Sequence, residues 1–359
     1  MAQAGNFTAA QLLEVVVKGE EMWKNPQYEA SLIPNAEAAV AVLKNQTAQF
    51  KELDDYSEKN RKVKVTYIDA CGGEVQDCEA SCELDGEELS ANSETYEPNI
   101  CKEHAFKIDV TKLRDTNYTS DELVLRGHAR ALKLLDEYWA QQILAKAKLN
   151  AGINLSPAPF VWDAGNNTTI IQDADYKLQM LANLVQQANM NRINAPYFIE
   201  NGSLFVEMFN AEMNAGNLDG KGDASRLAML KRMLYQDAWN FAPAGITDSL
   251  FMIGSGALAF KTVNEYKPIP INLTPLKQAY SVKSNLLTGV SYDVEYSKTC
   301  KVVGNKEHYF HTWRYRTNGL IEINPKGFPV NLGGNIVEPT GILSYTKGLI
   351  NHPISFFII

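Results

Sequence analysis

The stretch from Cys71 to Pro98 constrains this chain more than any other: it holds nine acidic residues (Glu74, Asp77, Glu79, Glu83, Asp85, Glu87, Glu88, Glu94, Glu97) and no lysine or arginine. So few apolar side chains cannot close a core, so the stretch must be held from its ends or covered by something else. Both flanks alternate like strands. Val63, Val65 and Tyr67 interleave with polar residues from Lys62 onward, and a less regular alternation runs from Ala105 and Phe106 to Val110. The spacing predicts a large projecting hairpin with these two runs as its legs. Its base is basic, with Lys59, Arg61, Lys62 and Lys64.

That charge split suits contact between copies. An acidic tip carrying Glu87 and Glu88 repels itself, and a neighbour that presents Lys59 to Lys64, or Arg126, Arg130 and Lys133 further on, would meet it with complementary charge. Four of the five cysteines, Cys71, Cys78, Cys82 and Cys101, also fall within the excursion, and Cys300 lies elsewhere. Their spacings, with six, three and eighteen residues between them, lack the close pairs of a structural zinc site. Free thiols, disulfides that staple the hairpin and a bound metal all stay open.

Around this feature the periodicity changes repeatedly. Thr8 is placed to cap a helix over Ala9 to Glu21, where Leu12, Leu13, Val16 and Val17 recur at helical spacing, and a short helix fits Asn35 to Asn45. With Pro26, Pro34 and the charged run Lys51 to Lys64, these read as an arm that lies on something else. Thr119 and Glu122 form a capping box ahead of one stripe: Leu125, Ala129, Leu132, Leu135, Trp139, Ile143 and Ala147. The helix runs to Asn150-Ala151-Gly152, ~27 residues and ~40 Å at the α-helical rise.

Further helices are expected near Asp173 to Met190, Ser203 to Met213 and Asp223 to Leu234. Pro196 to Ile199 and Ser249 to Ile253 read as buried strands between them. From Gly289 to Pro325 the runs Tyr292 to Tyr296, Tyr309 to Tyr315 and Leu320 to Ile323 predict an antiparallel sheet with turns at Gly304-Asn305 and Asn318-Gly319. The fold class is α+β.

Catalytic chemistry finds no anchor. Gly254-Ser255-Gly256 lacks the lysine of a phosphate loop, and His308 and His311 stand three apart in a strand, facing opposite ways, which suits sheet positions better than zinc ligation. Asn217-Leu218-Asp219-Gly220 resembles part of a calcium loop, but Ala215 and Arg226 stand where the first and last ligands belong. No Gly-x-Ser-x-Gly elbow occurs. The reading is a non-enzymatic protein without cofactor or metal.

A net charge of −8 disfavours tight binding to nucleic acid, so any DNA contact is weak and non-specific. No stretch approaches ~18 uninterrupted apolar residues and Met1 to Phe7 carries no secretory signal, so neither a membrane nor export is expected, and Asn6, Asn117 and Asn201 read as turn or cap residues rather than glycosylation sites.

The order of parts, together with Ala131 to Trp139, Phe241 to Ile246, Phe251 to Phe260, Tyr292 to Tyr296 and Gly319 to Pro325, resembles the major capsid proteins of tailed phages, the Hong Kong 97 type. The resemblance implies an N-terminal arm over 1–58, an extended loop over 59–112, a spine helix with part of the peripheral domain over 113–160, an axial domain over 161–288, and a returning peripheral sheet with the C-terminal segment over 289–359. It implies hexamers and pentamers of an icosahedral head shell around double-stranded DNA, assembled in the host cytoplasm and carried in the virion, with scaffold, portal and decoration proteins as further partners. Crosslinked members of that family use a lysine on the loop. Val65 to Cys101 has none here, so locking by non-covalent or thiol contacts is expected instead. Two other readings stay open: an encapsulin-like compartment shell, and a small-molecule-binding or hydrolytic α/β protein with the hairpin as a lid.

Overall fold

The computed structural model describes residues 36–46, 48–53, 62–68, 91–112, 120–149, 161–163, 168–171, 184, 187–189, 193, 196–200, 234–236, 249–284, 286–323, 330–332, 335–337 and 341–347. The helix expected over Ala9 to Glu21, the one over Ser203 to Met213, the Thr119 cap and the loop near Asn217 lie outside these residues.

Helix α1 (Ala36–Lys44) forms where the sequence places it and buries Ala38, Ala39, Ala41, Val42 and Leu43. Its end is tied down by the turn that follows a later strand. The Gly256 amide and the Ser255 hydroxyl both donate to the Asn45 carbonyl, at 2.7 and 3.2 Å, and Gln46 Oε1 accepts from the Phe260 amide at 2.7 Å. The glycine-rich turn thus caps a helix.

Strands β1 (Gln49–Leu53), β2 (Lys62–Ile68) and β3 (Ala91–Tyr96) make a three-stranded antiparallel sheet, and β4 (Ile100–Asp109) follows. This corrects the expected hairpin. β2 pairs with β3 in the register Val63↔Tyr96, whereas β4 joins another sheet. Alternation alone fits either pairing, and burial decides. Ser93, Glu94 and Thr95 of β3 are exposed and ask for no core, while Phe106 and Ile108 of β4 pack into the main core. The charged run also holds β1, which was not foreseen.

Helix α2 (Ser120–Leu149) is 30 residues long. Its buried stripe is as predicted from Ala129 to Ala147, except that Val124 is buried in place of Leu125, which is only half-buried. It also buries two ionisable residues, His128 and Asp136, that a hydrophobic pattern does not mark.

Next come β5 (Val161–Asp163), β6 (Thr168–Ile171), β7 (Tyr197–Glu200), β8 (Leu234–Gln236) and β9 (Ser249–Ile253). Residues 187–189 are helical, inside the helix expected there, whereas Leu234, the expected last residue of another helix, opens β8. Strands β7 and β9 are buried as predicted.

The chain continues through β10 (Leu258–Val263), β11 (Ile271–Thr274), β12 (Lys277–Lys283), β13 (Ser291–Val303), β14 (Lys306–Ile323), β15 (Val330–Leu332), β16 (Asn335–Val337) and β17 (Ile342–Lys347). One six-stranded sheet runs β10-β14-β13-β12-β11 with β4 also on β14; the other runs β5-β6-β17-β9-β7-β8. Sheet membership therefore does not change at residue 288. β10 to β12 share the sheet of β13 and β14, and β17 returns to the sheet of β9.

Strand β14 runs straight through Asn318-Gly319, where a turn was expected. The asparagine-glycine pair signals a turn only where nothing else needs a missing side chain. Here a β-carbon on Gly319 would stand 2.7 Å from Trp139 Cη2 and 3.0 Å from the Lys261 carbonyl oxygen, so close packing requires the glycine. Gly304 and Asn305 do form the predicted turn, both with positive φ, 57° and 62°, which suits a tight hairpin.

Candidate interaction surface

Helix α2 lies on one face of the β14 sheet, and three buried side-chain bonds fix it there. Trp139 Nε1 donates to Thr317 Oγ1 at 2.9 Å, the Tyr292 hydroxyl donates to Asp136 Oδ1, and His128 Nδ1 is paired with the Tyr315 hydroxyl. Around them Trp313 stacks on Phe106 at 5.2 Å, and Trp139 meets Phe260 edge-on at 5.0 Å. Burial sets the ionisation of these groups: it pushes Asp136 up to about 7 and His128 down to about 3, so both are held neutral near pH 6. His311, buried beneath Tyr296, is lowered to about 4 by the same cause, with Lys298 adding to it.

The opposite face is polar and covered in parts. Val63 and Val65 of β2 pack on Ala259, Val263 and Leu320 at one end. Next to them Asp293 accepts the backbone amides of Glu265 at 2.7 Å and Tyr266 at 3.1 Å, which straps the connection after β10 across the sheet. Partial burial alone would raise Glu295, but its bonds to Lys277 and Arg314 hold the carboxyl below its usual range. His308 Nδ1 pairs with Asp109 Oδ2 at 2.8 Å on this side, so His308 and His311 do face opposite ways.

Beyond α2 and the end of β4, the far parts of β13 and β14 run on as a short two-stranded ribbon, paired from Lys301↔His308 to Val303↔Lys306. Thr299 to Val303 are all exposed, and Val302 and Val303 are 70% and 51% accessible. Lys301 and Lys306 are exposed there too, while Lys298 reaches over the Tyr309 ring at the ribbon's base. Beside the base, the Lys298 amide donates to the Leu276 carbonyl at 3.0 Å, and Leu276 itself is 56% accessible. Strand β11, the outermost of this sheet, is exposed along its whole length and presents Ile271 and Leu273. Exposed aliphatics on a sheet edge mark a surface for another chain. Sequence reading passed over this region, because its residues alternate like any strand and exposure depends on where α2 ends.

The residues expected to form contacts are only partly in view. Cys71, Cys78, Cys82, Glu87, Glu88, Lys59 and Arg61 lie outside the described residues. Lys62 and Lys64 are on β2, with Lys62 3.7 Å from Glu97. Cys101 is exposed on β4, opposite Asn318, and so belongs to the large sheet. On α2, Arg126 and Arg130 are exposed and Lys133 is half-buried, with Arg126 engaged by Glu122 at 3.1 Å. Among the described residues no cluster of His, Cys, Asp or Glu is placed to hold a metal ion, and no helix is long and apolar enough to cross a membrane.

No protein-family model matches the sequence, and no curated protein matches it. Solved structures that are similar to the chain include the capsid of the cyanophage P-SCSP1u, at 10% identity over 80% of this chain and 83% of the other with a TM-score of 0.41. The capsid of Ralstonia phage GP4 is another, at 13% identity over 82% and 86%, TM-score 0.40. A chain from Mycobacterium phage Che8 matches at 12% identity over 83% and 92%, TM-score 0.38.

Proposed function

We propose that this chain is a structural subunit, a major capsid protein that assembles with copies of itself into the icosahedral head shell of a tailed phage. The observation that carries the reading is the contrast within one sheet. Its middle is clamped between α2 and the β1–β3 sheet, while its far ribbon and outer edge strand carry exposed aliphatic side chains with nothing from the described chain upon them. Such parts gain their stability from neighbours, and many repeated contacts of modest size add up to a stable shell.

The order of elements supports it further: a sheet whose β2–β3 connection holds the acidic run, one long helix, then a sheet-rich body, in the sequence that resembles the Hong Kong 97 type. In that scheme α2 is the spine helix and the sheet on which it lies belongs to the peripheral domain. The acidic run is the extended loop, and the β9 sheet belongs to the axial part. The net charge of −8 suits an inner surface that must leave packaged DNA loosely held.

Expression of the full chain followed by sedimentation and electron microscopy tests the reading. Closed icosahedral particles are expected. A protein that stays monomeric at high concentration would overturn it, and shells that enclose protein cargo and no DNA when produced during infection would favour a compartment.

A further inference from the structure

We propose that the outer edge of β4 is a self-contact: it pairs antiparallel with β4 of a second copy of this chain about a two-fold axis at Ala105, and so joins two large sheets into one. The proposal rests on the self-assembly reading and adds to it one contact of stated register.

The edge is long and unguarded. β4 runs 10 residues without a proline, and its register with β14 is unbroken from Asp109↔Phe310 to Ile100↔Gly319. By contrast Pro270 and Pro275 bracket β11, whose register shifts between Asn272 and Thr274, and both devices blunt an edge. One step beyond the β4 register, the Val110 amide donates to the Tyr309 carbonyl at 2.9 Å. Antiparallel ladders alternate bonded and non-bonded pairs, so the even-numbered residues of β4 turn their backbone groups to β14 and the odd-numbered ones turn theirs outward. Among the described residues no strand pairs with that outer side, which leaves the amides and carbonyls of Glu103, Ala105 and Lys107 available to a further strand.

The side chains select a second β4 as that strand. With Ala105 opposite Ala105, Glu103 of each copy stands opposite Lys107 of the other, on the face away from α2. Both are available. Glu103 is 55% accessible and held only at 3.8 Å by Arg314 and Arg316, while Lys107 rests over the Phe310 ring at 3.6 Å. Lys107 forms no ion pair among the described residues. Moving the axis to Glu103 or to Lys107 sets each against itself, so charge favours the axis at Ala105 over both. Ala105 is exposed and small, and leaves the axis unobstructed.

The two helices clear one another. α2 lies over β14 through Tyr315 and Thr317, and three strand spacings separate the two β14 strands of the pair, about 14 Å. Close-packed helices stand roughly 8–10 Å apart, so the space between α2 and its mate has room for the exposed side chains of Arg126 and Arg130. A two-fold contact of this kind is self-complementary and closes on itself, as the two-fold axes of a symmetric shell require.

Zero-length carbodiimide crosslinking tests this on the full chain, with equal amounts of ordinary and nitrogen-15-labelled protein mixed under assembly conditions and the linked peptides read by mass spectrometry. Within one chain Glu103 and Lys107 are four strand residues apart, about 13 Å, too far for a direct amide link. The expected result is a Glu103–Lys107 link, with mixed-label pairs as abundant as same-label pairs. Two variants then fix the register. Glu103→Lys and Lys107→Glu each meet like charge in a copy of themselves, so neither links at this edge alone, whereas mixing the two restores links between position 103 of one and position 107 of the other. Absence of the Glu103–Lys107 link in the unaltered chain, or no restoration on mixing, overturns the proposal. Shells are scored separately by electron microscopy. Shells without the link refute the β4 contact alone, and mixed-label links without shells uphold the contact and refute the capsid reading.

Discussion

Gly319 lies against the indole of Trp139, so near that a β-carbon there would stand 2.7 Å from Cη2. Lys261 closes the other side with its carbonyl oxygen at 3.0 Å, so neither neighbour has room to withdraw. Gly319→Ala is expected to cost about 1–3 kcal/mol by overpacking, and Trp139→Ala about 3–5 kcal/mol through the cavity and the lost bond to Thr317. In the double variant the alanine methyl sits in the space the indole vacates, so the two costs should add to less than their sum. Thermal unfolding of all three variants checks this, and full additivity would show that the two positions do not touch.

Asp136 gives a pH dependence whose sign is fixed by burial. Its folded-state pKa, raised to about 7, exceeds the unfolded value of 3.8, so its contribution is fully present below about pH 3.8, falls as pH rises and is gone above 7. His128, lowered to about 3 from 6.5, acts in the opposite direction, and its contribution is lost as pH falls below 6.5. In the wild type the two slopes oppose each other between pH 4 and 6.5. Asp136→Asn removes one of them, so the variant should gain stability over the wild type near pH 8 and lose it more steeply on acidification. Unfolding midpoints at closely spaced pH values decide the matter. Parallel profiles for the two proteins would contradict the burial of this carboxyl.

Two ion pairs of different exposure should behave differently. Glu295, only 10% accessible, takes Arg314 Nη2 at 2.6 Å and Lys277 Nζ at 2.7 Å. Lys62 and Glu97 are 36% and 56% accessible and 3.7 Å apart. Glu295→Ala leaves two cations without their shared partner and is expected to cost about 2 kcal/mol, while Lys62→Ala changes stability by less than about 0.5 kcal/mol. Chemical denaturation at low and moderate salt measures both, and equal costs would undo the distinction.

If the acidic tip selects a neighbour, Glu87→Lys with Glu88→Lys slows assembly by on the order of tenfold at low salt and less at moderate salt, with the thermal stability of the unassembled subunit nearly unchanged. Light scattering during assembly follows this. Identical kinetics at both salt concentrations would leave the tip as a solvated surface.

Periodicity made α2, α1, the buried strands β7 and β9, and the Gly304-Asn305 hairpin legible, because each satisfies its own rule within a few residues. Pairing was less legible. The partner of β2 depends on whether Phe106 and Ile108 find a core elsewhere, and nothing local to Lys62–Ile68 records that. Asn318-Gly319 misled for the same reason, since its glycine answers to Trp139, far away in sequence. His128 and Asp136 were invisible because polar residues on a stripe look like breaks in it until Tyr315 and Tyr292 are seen to meet them. The exposed ribbon became visible only once the end of α2 was placed over the sheet.

Cryo-electron microscopy of particles formed by the full chain tests the central claim most directly. The account predicts a closed icosahedral shell in which α2 lies on the β14 sheet within each subunit and the β13–β14 ribbon is covered by density from an adjacent copy. A chain that remains a discrete monomer or small oligomer, with the ribbon in solvent, would contradict it.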